Sequence, residues 1–483
     1  MRTWRNLAAP DDPTARYDVD GVWPTPRGTY ETADYGSLTN LAATSGATEF
    51  VRYAFQALTL SGSREYALTN TDAGSTPGVW EYAAGALTAR TISGNMSLYP
   101  MMAQYGTVTV LVKGASNTTN SGTGGNFSAL AGAPNGEIVC VLSNAVVILN
   151  TGTSTDGWHA SDVGDYTNWT TGESASGRLI ATPGQIVAGC TFGDAVYAFK
   201  ENSIYRIRYV GGSVKWMTEL VWVGVGCRAN SSSVALKAKY YVCAGSDGMI
   251  FCAGNFNDGA VTGKRFYRFD GTSPPQHINP ETVINDEGPI TYNPITNTYN
   301  VWGMGSSGTF YLYYYCGTTG AWGRHISAFP SSSSRGSVPV VGEFAASGAS
   351  FPSNMPVGYG RDTVDLIYRI VPDFSSASSV CYFESTMFGR PDRKTRFDMV
   401  IPLLRRRRDI GTDSAALSFV LWRERHSSSA QSTRSVTEST VRNRFDLQSA
   451  ACVDNFARFK ITYTALDVEM DDIQVVSLDA GAN

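Results

Sequence analysis

The segment Asp194-Ala-Val-Tyr-Ala-Phe-Lys-Glu-Asn-Ser-Ile-Tyr-Arg-Ile-Arg-Tyr-Val210 constrains the fold most. It reads as two strands joined by a tight polar turn at Lys200-Glu201-Asn202. In the second strand Tyr205, Ile207 and Tyr209 share one face, and Ile204, Arg206, Arg208 and Val210 share the other. A period of two is the pattern of a half-buried antiparallel strand. Tyr205, Ile207 and Tyr209 are expected to pack between sheets, and Arg206 and Arg208 to face a neighbouring blade or subunit.

Weaker copies of this unit recur along the chain. Arg64–Leu68 and Val79–Tyr82 are strand-like, and 138–149 reads as a hairpin turning at Ser143-Asn144. Tyr240–Cys252 turns at Gly245–Gly248, and further pairs follow at 288–325 and 338–370. The spacing is that of four-stranded propeller blades. The expected fold is all-β: a β-propeller of six or seven blades over 51–375, with a stack of β-sandwiches as the alternative. Residues 1–50, rich in Gly, Pro and Thr, read as an extended N-terminal arm. Residues 376–483, with long strands at 383–404, 417–423, 456–464 and 473–478, read as an appended β-sandwich-like module.

Composition narrows the class further. Of 483 residues, 12% are aromatic and 17% charged, and there are 49 glycines. That balance suits sheet and turn rather than helix. No run of 18 apolar residues occurs, so no membrane-spanning helix is expected, and Met1-Arg-Thr-Trp-Arg-Asn6 has no secretory apolar core. Cys140, Cys190, Cys227, Cys243, Cys252, Cys316, Cys381 and Cys452 are scattered without a C-x-x-C pair. They read as buried free thiols of a reducing compartment.

Catalytic patterns are missing. His159, His277, His325 and His426 stand in no ligand spacing, no G-x-S-x-G elbow occurs, and Gly122–Gly125 lacks the lysine of a phosphate loop. A propeller glycosidase would need two paired carboxylates; Ser154-Thr-Asp-Gly-Trp158 only approximates the turn found in sialidases. No enzyme activity, cofactor or metal is expected.

Charge is segregated. Between Arg390 and Lys460 stand 15 Lys/Arg against 8 Asp/Glu, a surplus of seven, while the net charge of −4 leaves −11 on the rest. The sharpest cluster is Arg405-Arg406-Arg407-Arg408, supplemented by Arg423, Arg425, Arg442 and Arg444. Three roles stay open for it: contact with DNA phosphates, a subunit interface with acidic residues, or a solvated strand end.

The order of these segments resembles the tail-hub or nozzle proteins of short-tailed bacteriophages, also called packaged-DNA stabilisation proteins. The residues that carry the resemblance are Gly184–Arg206, the polar loop Trp158–Trp169 before it, and Val225-Gly-Cys-Arg-Ala-Asn-Ser231 after it. The turn Ala244-Gly-Ser-Asp-Gly-Met249, Gly320-Ala-Trp-Gly323 and the paired segments at 458–462 and 473–476 add to it. The resemblance spans about 150–483. It implies a homohexameric ring in the virion tail, assembled in the host bacterial cytoplasm below the portal and adaptor. It also implies tail spike, fibre or needle partners, and double-stranded DNA conducted and retained in the ring's channel. Acidic loops would line that channel, since a duplex slides past like charge. The competing expectations are a carbohydrate-binding propeller that recognises a host surface through Trp and Tyr stacking, and a glycosidase.

Overall fold

The computed structural model describes strand backbone between residues 2 and 479, most continuously over 99–227, and side-chain surroundings within 53–92, 99–227 and 239–324. Among the described residues nearly every element is a strand; a single helical turn at 239–241 is the exception.

Among the described residues seven antiparallel units follow one another. Blade 1 consists of Glu49–Thr59, Gly62–Thr71, Gly78–Ala83 and Ala86–Arg90. Blade 2 consists of Met101–Tyr105, Val108–Val112, Asn117–Asn120 and Ser128–Ala129. Blade 3 consists of Gly136–Leu142, Ala145–Thr151, Ser154–Ala160 and Ala175–Arg178. Blade 4 consists of Ile186–Phe192, Ala195–Lys200, Ser203–Gly211 and Lys215–Val223. In blade 5, Val225–Cys227 and Val242–Ala244 share the inner edge of Ile250–Phe256, followed by Arg265–Phe269 and Gln276–Ile278. Blade 6 consists of Ile290–Asn293, Thr298–Met304, Phe310–Cys316 and Trp322–Ile326. Blade 7 takes three strands from 338–371 and its fourth, Ser37–Ala43, from near the N-terminus. Successive inner strands pack together around the ring, and blade 7 packs on blade 1, so the circle closes. The fold is a seven-bladed β-propeller. Closing one blade with strands from distant parts of the chain ties the ring shut.

Local sequence explains the hairpins. The two-residue connection Ser143-Asn144 has φ of 48° and 59°, the left-handed geometry whose twist matches the flanking strands. Second strands are buried on both faces: Ala145–Thr151 and Ala195–Lys200 are buried throughout. They read as continuous apolar runs because each lies between two neighbouring blades. Tyr205 and Ile207 join Trp158, Leu149 and Trp216 in the core between blades 3 and 4, as their spacing predicts. Between blades 5 and 6 the core is aromatic; Phe251 stacks on Tyr299 with centroids 4.9 Å apart.

The first fifty residues are stitched to the last hundred. Arg2–Trp4 pairs with Val468–Asp479, and Asp18–Asp20 pairs with Cys381–Glu384. Val22–Pro24 bridges the outer strand of blade 6 to Tyr30–Thr32, which pairs with Val468–Asp479. One sheet therefore runs from blade 6 through the N-terminal strands into Val468–Asp479 and Thr395–Arg406. A second gathers Cys381–Glu384, Phe456–Thr464, Ala415–Arg423 and Ser432–Glu438.

Candidate functional site

The axis of a propeller is where inner strands converge and where a ligand channel can open. Here side chains from four blades meet across that space. The helical turn at 239–241 leads into the inner strand of blade 5. From it Tyr240 reaches across the ring and stacks on Tyr53 of blade 1, with centroids 5.0 Å apart and planes 8° apart. Tyr99, before blade 2, meets the same ring edge-on at 6.1 Å, and the Tyr240 hydroxyl donates to the carbonyl of Pro100. Lys239 donates from Nζ to Glu137 Oε2 and to the Glu137 carbonyl, each at 2.9 Å. Glu137 stands at the start of the inner strand of blade 3. One dipeptide thus bonds to blades 1, 2 and 3 from blade 5, which requires it to cross the axis. Burial raises the Tyr53 hydroxyl pKa and lowers that of the Lys239 ammonium, with Glu137 opposing the second shift.

The inner strands of blades 3, 4 and 5 each carry a cysteine before the turn: Cys140 faces Val147, Cys190 faces Tyr197 and Cys243 faces Phe251. Burial pushes Cys140 and Cys243 up to about 12, and Cys190 well above its ordinary value. Such thiols stay protonated at neutral pH and are neither nucleophiles nor ready metal ligands. Among the described residues no group of three His, Cys, Asp or Glu side chains is disposed to hold a metal. The recurrence Cys-Val-Leu-Ser-Asn-Ala145, Cys-Thr-Phe-Gly-Asp-Ala195 and Cys-Ala-Gly-Ser-Asp-Gly248 is the sequence trace of these equivalent strands.

Blade 4 corrects the neighbouring-blade half of the expectation about its arginines. Arg206 and Arg208 do not reach a neighbouring blade. Arg206 bonds to Glu219 Oε2 at 2.6 Å from the adjacent strand, and Arg208 lies 3.8 Å from the same oxygen and 3.9 Å from Asp194. The Arg206 guanidinium holds the Glu219 carboxyl below its usual range. Lys200, expected in an open polar turn, is 1% exposed. Its ammonium donates to the carbonyls of Leu179 and Thr182, the latter at 2.7 Å, and clamps the crossover from blade 3. Burial lowers its pKa.

The carboxylate and sugar-stacking alternatives meet specific obstacles. Asp156, in the near-match to a sialidase turn, is held by both Arg178 nitrogens at 2.8 and 3.0 Å, which keeps its pKa low. Tyr66, Tyr267, Tyr299, Tyr314 and Tyr315 are fully buried and present no ring to a ligand. Of the resemblance loop, Asp162 is spent internally: it accepts from the Glu173 amide at 2.7 Å and from Asn168 at 3.1 Å.

The basic residues singled out by charge divide between two places. Arg405 and Arg406 end the strand Thr395–Arg406, in register with Glu469 and Val468. Glu469 is itself opposite Glu31, and Asp472 is opposite Leu403. The basic end of one strand therefore lies in backbone register with an acidic stretch of the same chain. Arg423 ends the strand Ala415–Arg423, opposite Ala457. Arg407, Arg408, Arg425, Arg442 and Arg444 lie outside the described residues.

No family model matches the chain, and no curated protein matches it. Among solved structures, it is similar to the extracellular domain of a hybrid two-component system from Bacteroides thetaiotaomicron. Identity there is 10% and the TM-score 0.44, covering 80% of this chain and 44% of that one. The chain thus spans under half of that protein's length. It is also similar to a six-bladed fucose-recognising lectin of the fungus Aleuria aurantia, at 12% identity and a TM-score of 0.33, covering 59% and 96%. An oligogalacturonate lyase in complex with manganese gives 12% identity and a TM-score of 0.41, covering 74% and 96%. At such scores the class is defined by the strand topology itself: among the described residues, a seven-bladed β-propeller with side chains meeting across its axis. No helix among the described residues is long and apolar enough to cross a membrane.

Proposed function

We propose that the chain is a structural, non-enzymatic ring subunit of the tail-hub kind, resident in a short-tailed phage virion. It would be assembled in the host cytoplasm beside portal or adaptor and spike, fibre or needle proteins. The observation that carries this is the cluster of contacts across the axis. Tyr53, Tyr240 and the Lys239–Glu137 pair occupy the space where a propeller would otherwise admit a small ligand. Contacts then fall to outer surfaces, as a scaffold requires. A duplex would pass between subunits of a homohexamer and not through the propeller, with acidic loops facing it and the Arg405–Arg408 strand end toward a neighbour.

Negative-stain imaging of the purified chain tests this: rings with a central hole support it, and discrete monomers that bind glycans overturn it. Reversing the charge of Arg405, Arg406, Arg407 and Arg408 in assembling particles tests the interface. Normal assembly with normal DNA retention would remove that role.

A further inference from the structure

The two ends of the chain pair with each other in nested order. In blade 7 Ala43 lies opposite Leu366 and Ser37 opposite Val371. Further out along both ends, Asp20 lies opposite Tyr382 and Asp18 opposite Glu384. Further out again, Trp4 lies opposite Ile473 and Arg2 opposite Val475. Residue numbers fall along one end as they rise along the other, so the three ladders close one inside the next, as a zipper does. The innermost belongs to the sheet of blade 7, and the outer two belong to the sheets that gather the last hundred residues. The innermost ladder closes a loop that contains blades 1 to 6. Once the next is paired, only 21–36 and 372–380 separate the two. The first of these stretches is itself pinned: Val22 pairs with Arg324 of blade 6, and Tyr30 and Glu31 pair with Met470 and Glu469.

We infer that the C-terminal module is the clasp of the propeller: its ladders with the N-terminal strands hold blade 7 shut, and opening the module loosens blade 7. Ser37–Ala43 is the outer strand of its sheet and pairs only with Leu366–Val371. Its hold therefore depends on how closely the chain on either side keeps it to its slot. On one side 44–48 tie it to blade 1, and on the other 33–36 tie it to Tyr30–Thr32 in the module sheet. A short tether of this kind makes pairing intramolecular at a high effective concentration, and a long one dilutes it. With the module open, the tether on the N-terminal side is lost and only the one to blade 1 remains. The closing strand is then loosened without being freed. Coupling between two equilibria is reciprocal, so opening blade 7 must in turn weaken the module. An appended domain hanging from a finished propeller would show no such coupling. The inference stands apart from the ring assignment, which concerns contacts between chains.

Native-state hydrogen exchange of the full chain, read by mass spectrometry at rising urea, tests it. Amides at 37–43 and 366–371 should open as one unit with those at 381–384, and apart from those at 195–200 in blade 4. Phe383→Pro removes a ladder bond, because Cys381–Glu384 is paired on both sides. It should speed exchange at 37–43 and 366–371 by about tenfold or more and leave 195–200 unchanged. Ile370→Pro, in a strand likewise paired on both sides, should speed exchange at 381–384 by a similar factor. The inference is overturned if blade 7 keeps its protection in Phe383→Pro. It is equally overturned if, in the unsubstituted chain, the ladders of blade 7 and of 381–384 open at different urea concentrations. Should either variant fail to fold, exchange of the unsubstituted chain decides alone.

Discussion

Tyr240 lies flat on Tyr53 at 5.0 Å, although blade 5 presents one ring and blade 1 the other. Two segments on different sides of a seven-bladed ring are thereby held by a contact through its centre. Replacing Tyr240 by Ala should destabilise the propeller by about 3–5 kcal/mol, because the cavity on the axis is fenced by blades that cannot collapse inward. Tyr240→Phe keeps the stack but leaves the Pro100 carbonyl without its donor, and should lose about 1–3 kcal/mol. Urea unfolding of the two variants measures the difference.

The Lys239–Glu137 pair is the charged half of the same plug. Lys239 is 1% exposed, and its partner is the carboxylate 2.9 Å away. Glu137→Gln should leave a buried, incompletely neutralised ammonium and reduce stability by about 3–5 kcal/mol. Pairing that change with Lys239→Met should recover part of the loss, since the uncompensated charge is then gone. The coupling is read from the double-mutant cycle.

Gly226 of blade 5 lies against the backbone of the turn in blade 4. A Cβ there would meet the Lys200 carbonyl oxygen at 2.1 Å and the Glu201 carbonyl carbon at 2.5 Å, both backbone atoms. Its own carbonyl accepts from the Tyr267 hydroxyl at 2.6 Å. Gly226→Ala should therefore cost about 3 kcal/mol by forcing the blades apart. Gly224→Ala, where an added Cβ meets nothing, is penalised only by its φ of +97°. Thermal unfolding midpoints should rank Gly226→Ala below Gly224→Ala.

Alkali should unfold the propeller. The thiols of Cys140, Cys190, Cys243 and Cys252 have pKa values raised by burial above the ordinary 9.0. A group raised in the folded state contributes stability in full below its unfolded pKa and loses it as pH rises toward the folded one. Stability should thus fall from about pH 9 upward. Lys113, Lys200 and Lys239 have lowered values and act in the opposite sense, gaining stability as pH climbs toward 10.5. Lys200→Met should then show a steeper alkaline loss than the unsubstituted chain, and Cys140→Ala a shallower one. Unfolding midpoints between pH 7 and 10.5 measure both slopes.

Much of the propeller was legible because its information is local. Alternation in 203–210, the Ser143-Asn144 turn and the double-sided apolar runs at 145–151 and 195–200 each fall within a few residues. The seven-blade count was not legible, because blade 7 takes Ser37–Ala43 from some three hundred residues away. The first fifty residues looked like an arm for the same reason: their partners stand at 381–384 and 468–479. Lys200 looked like a turn residue, and only the crossover at 179–182 shows that its ammonium has carbonyls to bind. The charge of Arg405 was plain in the sequence; its place opposite Glu469 depends on which strands pair.

The amino-acid order by itself determined that this chain builds small antiparallel sheets, because alternation and turn chemistry act over a handful of bonds. Tertiary structure decided what closes the ring and what fills its axis. Tyr53, Glu137 and Tyr240 are ordinary residues in three unrelated segments, and their meaning arises only when the ring brings blades 1, 3 and 5 around one centre. The outer strand of blade 4 shows the same division: its apolar residues are plain in the sequence, and only the finished sheet decides that Met217, Leu220 and Val223 are exposed.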